Sequence, residues 1–252
     1  MSKNYFPYIG VTGFMNRGEV LFALSLLPKK LYFSLMVGIL VSEKTLSGNF
    51  NKHPYKYPKK ERISEIFVED PRVFNVVHFH TGNHLRLSEQ LNEIVDLSGN
   101  YLHGFQLNIA WPEVSQIEEF KKFNCKHLII LQINKKTLTG SMNDFLDKLG
   151  NYVHVIDAVL FDLSGGEGKL LNVSKSLEYL RSIKERYPFL NLGVAGGLGP
   201  KTLNILNPID DEFETLSRDA EQGLQKKKGG LCLNSTREYI NKNVFILKTK
   251  KF

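Results

Sequence analysis

Short apolar runs alternate with stretches whose apolar residues recur at helical spacing, and the alternation continues along the whole chain. The pattern predicts strands over 8–11, 31–41, 73–80, 102–108, 127–133, 158–163 and 190–195, with a less apolar one over 213–216. Helices are predicted over 17–27, 61–67, 89–97, 114–123, 142–149, 175–187, 201–206 and 235–243. Asn16, Ser88 and Ser174 stand where N-caps belong, and Pro28, Gly99, Gly150 and Pro188 stand where helices stop. A polar segment with Gly48, Pro54 and Pro58 separates the second strand from the helix before the third.

Eight strand–helix units in 252 residues leave each unit close to the roughly 30 residues of a βαβ crossover. The strands are short, apolar and often β-branched, as expected when both faces are buried. An α/β protein with one (β/α)₈ TIM barrel over residues 1–252 and an inserted basic loop at about 42–60 is the economical reading. A doubly wound open sheet is the competitor. No Gly-x-Gly-x-x-Gly follows the first strand, however, and the glycine-rich turns come late, where barrels hold phosphate after strands seven and eight.

Composition adds little to this picture. Apolar residues make up 42% and charged residues 23%, which fits a globular chain. Two cysteines, Cys125 and Cys232, exclude a disulfide framework and a four-thiolate zinc site. The first residues lack the apolar stretch of a secretory signal, and the longest apolar run, 31–41, is too short to span a membrane, so the expected location is cytoplasmic. Net charge is +7, with lysines gathered in 52–62, at Lys226–Lys228 and in the tail at Lys248, Lys250 and Lys251. Tyr55 and Tyr57 interleave with lysines in the first group, a pattern that could serve RNA. No RNA-binding signature accompanies it, and a solvated loop is the simpler reading.

Candidate chemistry concentrates at strand ends. Asp162 closes the sixth strand and precedes Gly165-Gly166-Glu167-Gly168, so it is a candidate general base beside a loop able to close over a ligand. Gly196 and Gly197, between the seventh strand and a helix start, would let backbone N–H groups approach an anion. His78 and His80 share one face of the third strand, and Gln106 and Asn108 share one face of the fourth. The histidines could act as acid, base or ligand, but no third metal ligand has suitable spacing. No metal or organic cofactor is expected.

Taken in order, these segments resemble the phosphoribosylanthranilate isomerase family of tryptophan biosynthesis. Ile9-Gly10-Val11-Thr12, before a helix with Glu19 and Ala23, is similar to its Cys-Gly-(Ile/Leu)-Thr opening. Gln106-Leu107 resembles its Val-Gln-Leu-His-Gly strand. Asp162 with the glycine loop ending at Lys169 resembles its aspartate and Gly-Gly-Ser-Gly-Lys loop. Gly196-Gly197-Leu198-Gly199-Pro200 resembles its Gly-Gly-Leu-x-Pro turn, and Leu216-Ser217 followed by Glu221 resembles its Val-Ser-Ser-Gly-Val-Glu turn.

The resemblance implies an Amadori-type isomerisation, in which an acid opens a phosphorylated aminosugar and an aspartate removes the C2 proton. Asp162 matches the base. Ile9 stands at the family's acidic cysteine, Asn108 at its fourth-strand histidine, and Asp219 at a glycine of the phosphate turn. His78, His80 and Tyr8 are the candidate replacement acids, and Arg62 is the candidate for the family's substrate-carboxylate arginine. Gly196, Gly197, Ser217 and Arg218 are the expected phosphate ligands. The implied function is an isomerase or lyase on a small phosphorylated, sugar-like molecule. The alternative is an inactive barrel kept as a binding or scaffold protein.

Overall fold

The computed structural model describes residues 5–164, 169–227 and 229–249. The glycine loop 165–168, Lys228, Lys250 and Lys251 lie outside the described residues. Eight parallel strands close into a barrel in chain order: β1 (Tyr8–Thr12), β2 (Ser34–Ser42), β3 (Val73–His80), β4 (Gly104–Leu107), β5 (Leu128–Ile133), β6 (Ala158–Phe161), β7 (Asn191–Ala195) and β8 (Leu216–Ala220). The (β/α)₈ reading is therefore correct. β1 closes the ring on β8, with Gly10 opposite Asp219.

Between the strands run α1 (Arg17–Ser25), α2 (Glu43–Leu46), α3 (Ile63–Ile66), α4 (Leu87–Ser98), α5 (Val114–Phe123), α6 (Met142–Gly150), α7 (Val173–Arg186), α8 (Asn207–Asp210) and α9 (Leu233–Thr249). Asn16 caps α1 as expected, accepting from the Glu19 N–H. The other two expected caps are displaced. A 3₁₀ turn at His84–Arg86 leads into α4, so Ser88 lies inside the helix and its N–H goes to Gln116. Asn172, not Ser174, caps α7 through the Lys175 N–H. The strand expected at 213–216 begins later, because Phe213 still closes the turn after α8, with its N–H on Ile209. No helix among the described residues is long and apolar enough to cross a membrane.

Burial divides into two cores. The larger packs strand side chains such as Ile9, Val11, Phe79, Phe105 and Phe161 against the helices. The smaller fills the barrel with Tyr8, Met36, Phe74, Val76, Ile130 and Leu160, and Tyr5, Phe6 and Leu128 pack against it. Each such side chain contributes about 1.5–3 kcal/mol of transfer free energy. Together they form a solid floor under the C-terminal mouth.

Candidate active site at the barrel mouth

Successive side chains of a strand point to opposite faces, so every second one enters the barrel. Along several strands the inward residue changes from apolar to polar toward the C-terminal end. Phe74 and Val76 are followed by His78, Ile130 by Gln132, and Leu160 by Asp162. Ser217 is followed in the same way by Asp219, and Thr12 ends β1.

These polar ends form one hydrogen-bonded chain across the mouth. Thr12 Oγ1 donates to Asp219 Oδ1 at 2.9 Å, and Gln106 Nε2 donates to Asp219 Oδ2 at 3.4 Å. The same nitrogen donates to Gln132 Oε1 at 3.3 Å and lies 3.3 Å from the His78 ring nitrogens. His78 Nε2–H donates to Gln132 Oε1 at 3.0 Å. Gln132 Nε2 donates to Asp162 Oδ2 at 2.9 Å. Asp162 Oδ1 accepts from the backbone N–H and the hydroxyl of Ser164, at 2.9 and 2.6 Å. Thr12, Gln132 and Ser164 were not among the residues expected from the sequence. The signal that finds the first two is a polar residue at the mouth end of an inward-facing row.

Gly10 makes room for Asp219, since a Cβ there would lie 2.7 Å from the carboxylate and from Met36. Burial pushes the Asp219 carboxyl up to about 6, and Glu221 adds to the rise. His78 and the hydrogen bonds from Thr12 and Gln106 oppose it. The native chain therefore holds a proton, between about pH 4 and 6, that the unfolded chain has released. This carboxyl favours the fold below about pH 4, and that contribution is lost as pH rises through about 6. Urea midpoints of the wild type and Asp219→Asn, followed from pH 4 to 7.5, are expected to diverge in the variant's favour as pH rises. Parallel curves would return Asp219 to an ordinary carboxylate.

A small pocket of about 30 Å³ opens among His78, Gln106, Asp162, Gly196, Asp219 and Glu221. It has room for a water or two. Gly196 and Gly197 have φ of +119° and +59°, and a Cβ on Gly196 would lie 3.4 Å from Asp162 Oδ1. Asp162, His78, Gln106 and the glycine pair thus line one pocket.

Several expected site residues lie elsewhere. Arg218 faces outward by strand alternation and is only 1% exposed. Its guanidinium donates to Asp210 at 2.5 Å and to Asn243 at 3.0 Å, on the helix side of β8. Ser217 points inward but two residues below Asp219, where its hydroxyl accepts from the Tyr8 N–H at 3.2 Å. Neither reaches the pocket, and the expectation of phosphate ligands there is corrected. Ile9 packs in the outer core, so the inward positions around the expected acid are Tyr8, Gly10 and Thr12. Tyr8 is buried in the floor, and burial holds its hydroxyl well above the usual range. His80 is exposed, with Nδ1 on the Asn108 carbonyl at 2.9 Å, and Asn108 is half-buried beside it at the rim. Arg62 pairs with Glu65 and borders a separate cavity of about 620 Å³, with Lys44, Lys59, Lys60 and Tyr57.

The basic segment after β2 reaches the mouth through Lys56. Lys56 Nζ meets Glu221 Oε1 at 2.9 Å. Tyr55 packs on Gly229 so closely that a Cβ there would lie 1.9 Å from its ring. Among the described residues, no group of three or more His, Cys, Asp or Glu side chains is arranged to hold a metal ion.

No family model matches the chain, and no curated protein matches it in sequence. Solved structures do. A monomeric form of phosphoribosylanthranilate isomerase from Thermotoga maritima is 19% identical, with 96% of this chain and 99% of that one covered and a TM-score of 0.63. A phosphoribosylanthranilate isomerase solved with reduced 1-(o-carboxyphenylamino)-1-deoxyribulose 5-phosphate is also 19% identical, over 94% and 99%, with a TM-score of 0.61. An active-domain chitinase from Pyrococcus furiosus is 11% identical, over 99% and 98%, with the same TM-score of 0.61. The chain has a divergent phosphoribosylanthranilate isomerase-like fold. Because chitinases share the barrel, the chemistry has to be argued from the mouth.

Proposed function

We propose that this chain works as a single barrel whose mouth is an acid–base site of the isomerase or lyase type. Its substrate is a small sugar-like molecule, Asp162 is the general base and His78 the proton donor. The observation that carries the reading is the hydrogen-bonded relay from Asp162 through Gln132 to His78, aimed into one pocket. Asp162 is oriented by three donors, so its carboxylate is held rather than free to rotate. It would remove a proton from carbon next to a carbonyl or imine. His78, on the adjoining wall, would protonate the oxygen that gains charge. Gln132 bridges the two and keeps base and acid in register.

The Gly196–Gly197 turn supports an anionic handle on the substrate, as does the phosphorylated ligand bound by one of the isomerases of the same fold. The carboxylates of Asp219 and Glu221 oppose one. A negative charge about 4 Å from a carboxylate is repelled by about 4 kcal/mol at an effective dielectric of 20.

The test is solvent isotope exchange. Incubation in D₂O with a panel of small aldoses, ketoses and glycosylamines is expected to place deuterium at the carbon beside the carbonyl of at least one member. His78→Gln is expected to slow that exchange by about 10² or more. No exchange with any member would favour the second reading, a barrel that binds without turnover. In either reading a sugar-sized ligand enters only as the lining moves, since the pocket is about 30 Å³.

A further inference from the structure

The corner of the pocket beyond β7 and β8 presents acceptors to whatever enters. Asp219 is 4% exposed, and among the described residues its carboxylate accepts from the neutral groups of Thr12 and Gln106. Glu221 lines the same pocket. Lys56 answers its charge, and Gln225 and Gln222 donate to it at 3.3 and 3.5 Å. Gln106 is fully buried, and its Oε1 has no hydrogen-bond partner. A buried amide oxygen without a donor loses the hydrogen bond that water would give it. Two carboxylates and a residue with an orphaned carbonyl therefore line the same pocket as the Gly196–Gly197 turn. A phosphate offers acceptor oxygens and about two negative charges, so it satisfies none of them. An ammonium offers three donors and the opposite charge.

We propose that the mouth takes a small polyhydroxylated ligand without phosphate, whose ammonium group is bound by Asp219, Glu221 and Gln106 Oε1. The inference rests on the mouth being a ligand site and names the class of molecule it takes. His78 adjoins Gln106 in this corner and Asp162 lines the same pocket, so an ammonium held here keeps the polyol within reach of the acid–base pair. Lys56 limits the charge at the rim by holding Glu221, and it links ligand entry to the inserted segment.

Calorimetric titration with four probes separates the possibilities. They are 1-amino-1-deoxyribitol, ribitol, ribitol 5-phosphate and inorganic phosphate. The amine is expected to bind at least tenfold more tightly than ribitol, with no binding of either phosphate compound. Glu221→Gln and Asp219→Asn are each expected to weaken the amine tenfold or more. Glu221→Gln lies at the rim, so it keeps the test alive if the buried substitution fails to fold. Asp219→Gly with Glu221→Gln removes both carboxylates and is expected to admit phosphate.

Tighter binding of ribitol 5-phosphate than of the amine would overturn the proposal, as would binding of none of the four. Equal binding of ribitol and the amine would also overturn it, since the carboxylates would then contribute nothing. Binding of the amine without isotope exchange on any substrate would leave this ligand class standing and remove the catalytic reading.

Discussion

Asp162→Asn is expected to reduce turnover, read as deuterium exchange into the best substrate of the panel, by about 10²–10⁴. That corresponds to about 2.7–5.5 kcal/mol of barrel-mouth chemistry. Asparagine keeps the shape of the side chain but cannot take a proton. It also upsets its surroundings, because both oxygens of Asp162 accept: one from Gln132 and the other twice from Ser164. Whichever way the new amide turns, its NH₂ meets a donor. Ser164→Ala is the informative companion. It removes the hydroxyl bond but leaves the backbone N–H and Gln132, so a loss well short of that of Asp162→Asn is expected. Exchange within threefold of the wild type in Asp162→Asn would remove Asp162 from the role of base.

Arg218→Ala is expected to destabilise the fold by about 3–5 kcal/mol. The guanidinium and Asp210 are both nearly inaccessible, at 1% and 7% exposure, and Asn243 completes the cluster. Deleting the arginine takes one buried counter-charge and its hydrogen bond away from the Asp210 carboxylate. At about 2–4 °C per kcal/mol for a chain of this size, the melting temperature should fall by about 6–20 °C. The cluster is not fully satisfied even in the wild type, since Arg218 Nε has no partner. Arg218→Met combined with Asp210→Leu should therefore cost much less than the two single changes added together. Additive losses would show that the two side chains do not act as a pair.

The same arginine shows where reading along the chain stops. Ser217-Arg218-Asp219 is a run of three polar residues, and by composition it belongs to a turn. It is the middle of β8 because each side chain meets a buried partner on another element. Ser217 meets β1 in the floor, Asp219 meets Thr12 and Gln106 in the mouth, and Arg218 meets α8 and α9 outside. Strand alternation states which residues share a face. It does not state which face is inside until a neighbouring strand fixes the register. The placement of Ile9 outside and of Gly10 opposite Asp219 is settled in that way.

By itself the sequence determined the barrel, because eight short strands buried on both faces and separated by amphipathic helices have few ways to close. It also determined that Asp162 and the Gly196–Gly197 turn stand at C-terminal strand ends, since local periodicity and turn chemistry act over a few residues. Only the tertiary structure decided that Gln132 joins Asp162 to His78. It alone turned Arg218 away from the mouth, and it alone brought Asp219, Glu221 and an unpaired Gln106 oxygen to one corner. The contacts of Gln132 with Asp162 and His78, and of Gln106 with Asp219, join residues 30 to 113 positions apart when the ring closes, and charges add only once they share a space poor in water.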